Sequence, residues 1–274
     1  MRVFAATTRE RLLAGREEFA AGAPFPHLVL DDFLLPEAAA ALEAAFAGAR
    51  GEWITWHHVN ERKRGFNDVQ GLPDDARAVV DELQSPSFVG ALERLTGVSA
   101  LLADPDLDGA GLHETPPGGH LNVHTDFLSH TRRRCWSRQL NLLLFLNRDW
   151  PEEYGGALEL WSPDVQRCVR RIAPLFNRCV VFRTTGQSFH GVPEGVHCPA
   201  GRTRKSLALY YFRDEGHISP LAPTNYFPRP SDDWGRRLLI RADRWALYAY
   251  SLLKRYTPID DKVVGRLLRR LSRR

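Results

Sequence analysis

The first hundred residues place their hydrophobic side chains mainly at helical spacing. Segment 36–49 opens with a proline, which suits the first helical position, and continues in alanines, which favour a helix. Segments 73–84 and 87–97 also begin near proline or serine start signals. Segment 24–34 differs, because its alternating leucines indicate a short strand that leads into a turn. This part of the chain is therefore predicted to be mainly helical.

From about residue 101 the pattern changes to short apolar runs separated by proline and glycine. Seven or eight such runs follow at spacings of 8–15 residues, which is typical of a β-sandwich or barrel. Helices followed by strands indicate an α+β fold. We predict a double-stranded β-helix, also called a jelly-roll or cupin-like fold, with the N-terminal helices buttressing one of its sheets.

Beyond Phe212 the strand pattern ends in a proline-rich linker and two segments that resemble basic amphipathic helices, at 233–256 and 260–274. Residues 231–274 carry 12 Lys or Arg and 5 Asp or Glu, a net charge of +7, which leaves −3 of the total of +4 for the rest. The predicted organisation is one domain at 1–215, with a helical part at 1–100 and a jelly-roll core at 101–215, and a basic helical extension with its linker at 216–274.

Length and composition narrow the class of protein. The 274 residues suffice for one large domain, and 43% hydrophobic with 26% charged residues is typical of a soluble globular protein. No run approaches the 18 consecutive apolar residues of a membrane span, and no apolar signal region opens the chain. The four cysteines lack metal-binding spacing and fit a reducing compartment, so we expect a cytoplasmic protein.

Candidate chemistry first appears in the segment GGHLNVHTDF at 118–127. Residues two apart in a strand point to the same face, so His124 and Asp126 direct an imidazole and a carboxylate into one cavity. Such a pair is common by chance, and it gains weight from His190, 64 residues after Asp126 and between two predicted strands. Two histidines and one carboxylate form the facial triad of non-heme iron(II), which leaves coordination positions open.

A second feature lies at the start of the last predicted core strand, RKSLALYYF. Arg204 and Ser206 share one face of this strand, where a guanidinium and a hydroxyl can clamp a carboxylate. Lys205 is the alternative anchor, on the opposite face. The sequence therefore predicts an anion site on the same core that carries the candidate metal ligands.

In their order along the chain these motifs resemble the 2-oxoglutarate- and iron(II)-dependent oxygenases, most closely the prolyl 4-hydroxylase-like branch. The similarity covers about Phe25 to Phe212. It rests on the PGG turn before HTD, the strand LLLFLN, the Gly-Gly hairpin in YGGALEL, the downstream histidine and the basic residue that starts the last strand.

The resemblance implies roles for individual residues. His124, Asp126 and His190 would be the catalytic iron(II) ligands. Arg204 would bind 2-oxoglutarate, assisted by Ser206 and, as a weaker candidate, Asn141. Dioxygen would be the second cosubstrate, ascorbate a reductant in assays, and succinate and CO2 would be released as an unactivated C–H bond is hydroxylated. The presence of Asp126 favours hydroxylation over halogenation, because halogenating relatives lack this carboxylate.

Substrate assignment is more open. Arg138, His113 and Thr115 are the candidate substrate-facing residues, and Thr115 stands near the place where prolyl hydroxylases usually have a tyrosine. We expect a small polar metabolite or amino-acid-like substrate. One alternative is a protein hydroxylase of the prolyl type. A second, from another class, is a cupin-like metal- or sugar-binding module without oxygenase activity.

Partners are suggested by charge. A nucleic acid is not expected, because the chain outside its basic extension carries a net charge of −3. Two hypotheses remain for the extension. It packs on the domain or on a second subunit, or it attaches peripherally to an anionic membrane, because it combines Arg and Lys with Trp, Tyr and Leu.

Overall fold

The computed structural model describes residues 3–4 and 6–257, in which two β-sheets enclose a core and helices cover the outer side of the larger sheet. The basic segment predicted at 260–274 lies outside these residues. The α-helices are α1 (Ala6–Ala14), α2 (Arg16–Ala21), α3 (Pro36–Gly48), α4 (Asp74–Leu83), α5 (Pro86–Thr96) and α6 (Trp234–Tyr256). The strands are β1 (His27–Leu30), β2 (Ile54–His57), β3 (Arg62–Phe66), β4 (Leu102–Ala103), β5 (Gly111–Thr115), β6 (Leu121–Thr125), β7 (Trp136–Phe145), β8 (Leu158–Trp161), β9 (Cys168–Ile172), β10 (Arg178–Arg183), β11 (His190–Val192), β12 (Arg204–Asp214) and β13 (Asn225–Tyr226).

The larger sheet has the order β1-β10-β7-β12-β5-β3-β2, with β4 paired to β12, and the smaller sheet has the order β13-β6-β11-β8-β9. Each recorded strand pair is antiparallel. Most neighbours are far apart along the chain, as in a double-stranded β-helix. The predicted α+β fold with a jelly-roll core is therefore confirmed.

Alternation along β7 separates the helix side of the larger sheet from the interior. Leu140, Leu142 and Leu144 are fully buried in the core that the helices share. Asn141 and Phe145 point the other way, toward the smaller sheet. One strand thus supplies apolar packing on one face and a polar group to the interior on the other.

The same alternation operates in β12. Leu207 and Tyr211 belong to the helix-side core, and the Tyr211 hydroxyl donates to the carbonyl of Leu83 in α4 at 2.8 Å. Arg204 and Ser206 stand on the opposite face and are buried. The sequence pattern therefore delivers the predicted anion-binding pair to the interior of the fold.

The helices predicted at 36–49, 73–84 and 87–97 are present as α3, α4 and α5. Helix α5 shows why its ends were recognisable. The Ser85 hydroxyl accepts a hydrogen bond from the Phe88 amide at 3.2 Å, Pro86 takes the first position, and Gly97 ends the helix at a φ of 71°. These local signals specify the boundaries independently of tertiary packing.

The strands β2, β3 and β13 were not predicted from the sequence. The N-terminal part contains the hairpin β2–β3, which extends the larger sheet because β3 pairs with β5. The proline-rich linker contributes β13, which pairs with β6. Strands β2 and β13 lie at sheet edges, where one side of the strand has no partner and the hydrophobic pattern is weak.

Helix α6 follows this linker and begins at Asp233, whose carboxylate accepts from the Arg236 amide at 2.9 Å. Its inner face packs on the domain, where Ile240 is fully buried. None of the helices within the described residues has the length and apolar composition needed to cross a membrane.

Candidate active site

The three predicted metal ligands converge between two paired strands. His124 lies on β6, Asp126 follows its end, and His190 is the first residue of β11. The antiparallel register of β6 and β11 sets His190 opposite His124, with ring centroids 4.3 Å apart. Nε2 of His124 lies 3.6 Å from one Asp126 carboxylate oxygen, and Nε2 of His190 lies 3.3 Å from the other. All three ligand atoms lie within 4.8 Å of one another.

Both imidazoles are oriented by the main chain. Nδ1 of His124 donates to the carbonyl of Asn122 at 2.9 Å, and Nδ1 of His190 donates to the carbonyl of Ser188 at 2.9 Å. A carbonyl only accepts, so Nδ1 carries a proton, and Nε2 of each ring faces the centre of the triad, where it can bind a metal ion. Burial lowers the pKa of His190 to about 4, which keeps this ring neutral and able to bind a metal ion.

The carboxylate of Asp126 is held in its ionised form. Burial alone would raise its pKa, but opposing interactions, of which the Arg138 guanidinium is the largest, hold the pKa well below its ordinary value. Nη2 of Arg138 lies 3.3 Å from the carboxylate, and Nδ2 of Asn141 donates to it at 2.7 Å. Asp126 therefore has a fixed position and a negative charge before any cation binds.

Arg138 and Asn141 form one buried unit behind Asp126. Nε of Arg138 donates to Oδ1 of Asn141 at 2.6 Å, and the Thr184 hydroxyl donates to the same oxygen at 3.1 Å. The guanidinium lies 3.2 Å from the ring centroid of Tyr210. Its Nη1 and Nη2 form no hydrogen bond within the described residues. Arg138 thus keeps donors for a further acceptor beside the triad.

The predicted anion-binding pair faces the same interior. Nε of Arg204 donates to the carbonyl of Gly156 at 2.6 Å, and its guanidinium lies 4.9 Å from the Phe145 ring centroid. Gly156, in the Gly-Gly hairpin, has a φ of +74°, and a Cβ there would lie 2.9 Å from Cδ of Arg204. The glycine therefore leaves the room that the arginine occupies.

Arg204 is a buried cation without an acidic partner. It is 6% exposed, and no carboxylate of the described residues forms an ion pair with it. Burial lowers its pKa to about 10, so the side chain remains charged at neutral pH. Because an unpaired buried charge is costly, this arrangement favours an external anion. Lys205, the alternative anchor, points to the helix side, where its Nζ lies 5.6 Å from the Phe46 ring centroid.

Strand β5 completes this part of the interior. In the register of β12 and β5, Thr115 lies opposite Arg204 and His113 lies opposite Ser206. His113 is 9% exposed and its Nε2 has no hydrogen-bond partner within the described residues. Burial and, to a smaller degree, nearby cations lower its pKa to about 3, so the ring is neutral. Both residues therefore lie where the resemblance placed the cosubstrate.

A cavity of about 430 Å³ opens from the triad. His124 and Asp126 contribute to one wall, and Tyr210 lies beside them. Other walls come from segments that sequence analysis did not connect with the site: the β2–β3 hairpin (His58, Glu61, Lys63), the linker (Leu221, Ala222, Pro223, Thr224, Tyr226) and α6 (Asp243, Ala246, Leu247, Tyr250, Ser251).

Ion pairs join the hairpin to α6 across this cavity. His58 lies 3.2 Å from the Glu61 carboxylate and 3.4 Å from that of Asp243, and Asn60 also donates to Asp243. Burial alone would lower the pKa of His58, but hydrogen bonds to these carboxylates raise it to about 9. Lys63 pairs with Glu61 at 3.2 Å. The sequence could have indicated part of this cluster, because Glu61 and Lys63 are two residues apart and so lie on the same strand face.

Asn122 connects the two parts of the site. Its carbonyl orients His124, as described above. Its side-chain amide donates to the carbonyl of Val59 at 3.2 Å and to Oδ1 of Asn60 at 3.0 Å, and its side-chain oxygen accepts from Arg236 at 3.1 Å. The residue thus contacts a metal-ligand candidate, the hairpin and α6 at once.

A second group of metal-binding residue types contains Asp104, Asp106 and His130. Arg133 pairs with both aspartates, and His130 lies 3.2 Å from Asp104. The positive charges that a metal would supply are therefore already provided by protein side chains, and we interpret this group as a structural ion-pair cluster.

Comparison with known proteins gives a family match for part of the chain. Residues 110–212 match the model of the 2OG-Fe(II) oxygenase superfamily. No curated protein sequence matches the chain.

Solved structures share the fold. A prolyl hydroxylase from Trichoplax adhaerens, in complex with a hypoxia inducible factor oxygen degradation domain peptide fragment, is 19% identical with a TM-score of 0.53, covering 77% of this chain and 92% of its own. A Pseudomonas putida prolyl-4-hydroxylase is 21% identical with a TM-score of 0.52, covering 74% and 99%. A 2OG-Fe(II) oxygenase family oxidoreductase from Burkholderia pseudomallei is 15% identical with a TM-score of 0.52, covering 79% and 97%.

Family match, fold and convergent triad agree with one another. Enzymes of this superfamily use iron(II), 2-oxoglutarate and dioxygen. Through residues 110–212 the chain matches the 2OG-Fe(II) oxygenase superfamily, it has the fold of the prolyl hydroxylases, and these findings support a 2-oxoglutarate-dependent dioxygenase.

Proposed function

We propose that the protein hydroxylates an unactivated C–H bond of a small polar or amino-acid-like molecule, with His124, Asp126 and His190 as the iron(II) ligands. The observation that carries the assignment is the triad itself, two imidazoles and one carboxylate whose ligand atoms lie within 4.8 Å of one another. This donor set fits iron(II), and three ligands on one side leave positions for a cosubstrate and dioxygen. Bound iron couples the conversion of 2-oxoglutarate and dioxygen into succinate and CO2 to insertion of the second oxygen atom into the substrate C–H bond.

Arg204 is our proposed anchor for the distal carboxylate of 2-oxoglutarate. The support is its buried, unpaired guanidinium, with Ser206 on the same strand face. Thr115 and His113 lie opposite this pair and would surround the cosubstrate. Burial of the pair excludes water from a charge-assisted hydrogen bond, which strengthens it.

Asn141 takes a positioning role in this proposal. Its amide donates to Asp126 and its oxygen accepts from Arg138 and Thr184. These contacts fix the carboxylate oxygen that faces the triad, as outer hydrogen bonds do in other metal sites. The direct contact with 2-oxoglutarate that the resemblance suggested for this residue stays a prediction.

A small substrate is favoured by the walls of the cavity. The hairpin and α6 are joined by ion pairs of His58 with Glu61 and Asp243, so the space above the triad is bordered on opposite sides. A volume of about 430 Å³ suits a metabolite rather than a folded partner. Arg138 pairs with Asp126 through Nη2, and its Nη1, which forms no hydrogen bond within the described residues, would bind an acceptor of this substrate. Thr115 and His113 remain candidates for contact with the substrate from the β5 side.

The reaction class is tested by anaerobic addition of iron(II) and 2-oxoglutarate to the purified protein, followed by exposure to air with ascorbate. We expect a visible charge-transfer band before air and succinate after it, because these enzymes slowly turn over 2-oxoglutarate without substrate. A protein that binds iron but shows neither band nor succinate would be the cupin-like binding module.

The substrate class is tested by the rate of succinate formation in the presence of two libraries. One contains amino acids and small polar metabolites, and the other contains proline-containing peptides. We expect stimulation by members of the first library, with a mass increase of one oxygen in the stimulating compound. Stimulation by peptides alone would identify a protein hydroxylase of the prolyl type, as in the Trichoplax adhaerens structure with its peptide.

A further inference from the structure

The outer face of α6 exposes large hydrophobic side chains that the catalytic site does not use. Within the described residues, eight of the twelve exposed large hydrophobic side chains lie on this helix. Trp234 is 82% exposed, Trp245 77% and Tyr256 66%. Exposed indole rings at this level are uncommon on a surface that contacts water alone, and a contiguous set of them indicates an interaction surface.

These side chains form one line along the helix. Trp234, Leu238, Trp245 and Leu252 follow one another at steps of four or seven residues, which returns each to the same side of an α-helix. The line extends over roughly 27 Å at 1.5 Å per residue. Tyr256, at the end of the helix, contacts the domain, because the Arg134 guanidinium lies 5.1 Å from its ring centroid. A straight apolar line of this length matches a flat partner better than a compact or concave one.

The inner face of α6 is already occupied. Ile240 is fully buried and Asp243 pairs with His58 of the hairpin. Apolar residues on both faces of a helix indicate that both faces are covered in the functional state. The domain covers one face, and the partner of the other must be sought outside the described residues.

The positive charge of α6 favours one kind of partner over the others. Helix α6 contains six Lys or Arg and one acid, Asp243, which lies on the inner face. Arg237 and Arg241 lie on the helix surface near the apolar line. Pairing with α6 of a second copy would bring like charges together, and residues 258–274, with six Lys or Arg and two Asp, would do the same. An anionic partner has the complementary charge.

We propose that the outer face of α6 binds the surface of an anionic lipid bilayer, with the helix parallel to the membrane plane. Trp and Leu of the line would insert at the boundary between headgroups and acyl chains, and the arginines would contact lipid phosphates. This surface is independent of the proposed substrate, and it lies on the opposite side of α6 from the cavity above the triad.

The direct test is sedimentation of the full chain with vesicles of phosphatidylcholine, either alone or with a quarter of phosphatidylglycerol. We expect binding to the anionic vesicles, weak binding to the neutral ones, release at high salt concentration, and a blue shift of tryptophan emission on binding. Absence of binding to anionic vesicles would overturn the proposal.

Substitutions on the outer face of α6 test whether this face binds the vesicles. The double variant Leu238→Ser with Trp245→Ser removes two side chains of the line and should weaken partitioning by more than about tenfold. Ile218→Ser is the matched control, because Ile218 is 57% exposed but lies outside α6. Arg241→Glu should weaken binding to anionic vesicles alone.

Succinate formation without substrate should be unchanged in all these variants, since none of the substituted residues lines the cavity. Equal partitioning of the double variant and the wild type would overturn the assignment of this face. A dimer in sedimentation equilibrium that the double variant dissociates, without vesicle binding, would assign the face to a second copy instead.

Discussion

The two ends of the active-site cavity are constructed differently. At the deep end, ligand candidates stand on the paired strands β6 and β11, and main-chain carbonyls orient their imidazoles. At the open end, a hairpin, a linker and α6 meet through side-chain ion pairs, with His58 26% exposed and Asp243 20% exposed.

The deep end therefore carries the candidate residues for the reaction, and the open end carries those that would contact the substrate. Strand register is fixed by many hydrogen bonds at once, so the deep end does not change without loss of the fold. Ion pairs that remain partly exposed contribute little each, so the open end can be altered one residue at a time. Substitutions should therefore have their largest effects at the deep end and progressively smaller ones toward the opening.

The largest expected effect is that of His124→Ala. Removal of one of three ligands should abolish iron binding and reduce succinate formation to background. Iron content after anaerobic reconstitution and the charge-transfer band with 2-oxoglutarate measure this loss. His217→Ala, at an exposed histidine outside the cavity, is the control and should behave as wild type. Wild-type iron content in His124→Ala would refute the assignment of the triad.

Arg204→Ala should act on the cosubstrate and leave the metal in place. Loss of the buried guanidinium removes charge-assisted hydrogen bonds, so we expect the KM for 2-oxoglutarate to rise on the order of 100-fold, with iron content unchanged. Arg204→Lys should recover part of the affinity. Lys205→Ala is the matched control on the helix side of the same strand and should leave KM unchanged. A normal KM in Arg204→Ala together with a raised one in Lys205→Ala would reverse the assignment.

Asn141→Ala distinguishes positioning of Asp126 from contact with the cosubstrate. Loss of the 2.7 Å hydrogen bond to Asp126 should weaken iron affinity by about 10- to 100-fold, as for other residues that orient a metal ligand. At saturating iron the KM for 2-oxoglutarate should then be normal. A raised KM with normal iron affinity would favour the direct contact that the resemblance suggested.

The smallest effect is expected at the open end, from Asp243→Asn. The pKa of His58 is raised to about 9, so its ion pair stabilises the fold fully below the ordinary histidine pKa of 6.5, and this contribution is lost as pH rises through about 9. Urea unfolding should show the variant less stable by about 1 kcal/mol at pH 6, because the partners are partly screened by solvent. The gap should close above pH 9.

Iron content and the KM for 2-oxoglutarate should not change in Asp243→Asn, whereas the KM for the organic substrate should change a few-fold. A gap in unfolding free energy that persists at high pH would show that the Asn60 hydrogen bond, not the ion pair, joins hairpin and helix.

Sequence patterns indicated part of the deep end because that part of its information is local. His124 and Asp126 are two residues apart at the end of β6, and Arg204 and Ser206 repeat that spacing on β12, whereas His190 was assigned from the resemblance to the family. Helix α5 likewise carries its own start and stop signals at Ser85 and Gly97.

The open end could not be predicted in this way. His58 and Asp243 are distant along the chain, and neither has a local pattern that indicates the other. Strand β13 forms only because the edge of β6 is available to a polar linker. Helix α6 was expected from its amphipathic spacing, but its position over the cavity depends on tertiary contacts. The boundary at residue 215 stays a prediction, to which the structure adds that later segments line the cavity.

The main chain and the side chain of Asn122 have different roles. Its main-chain carbonyl orients His124, and every amino acid has this group, whereas its side chain binds the hairpin and Arg236 of α6. Genetic change at this codon can therefore alter the entrance while the metal ligand keeps its orientation. Position 122 is thus a place where substrate range can evolve without passing through an inactive enzyme.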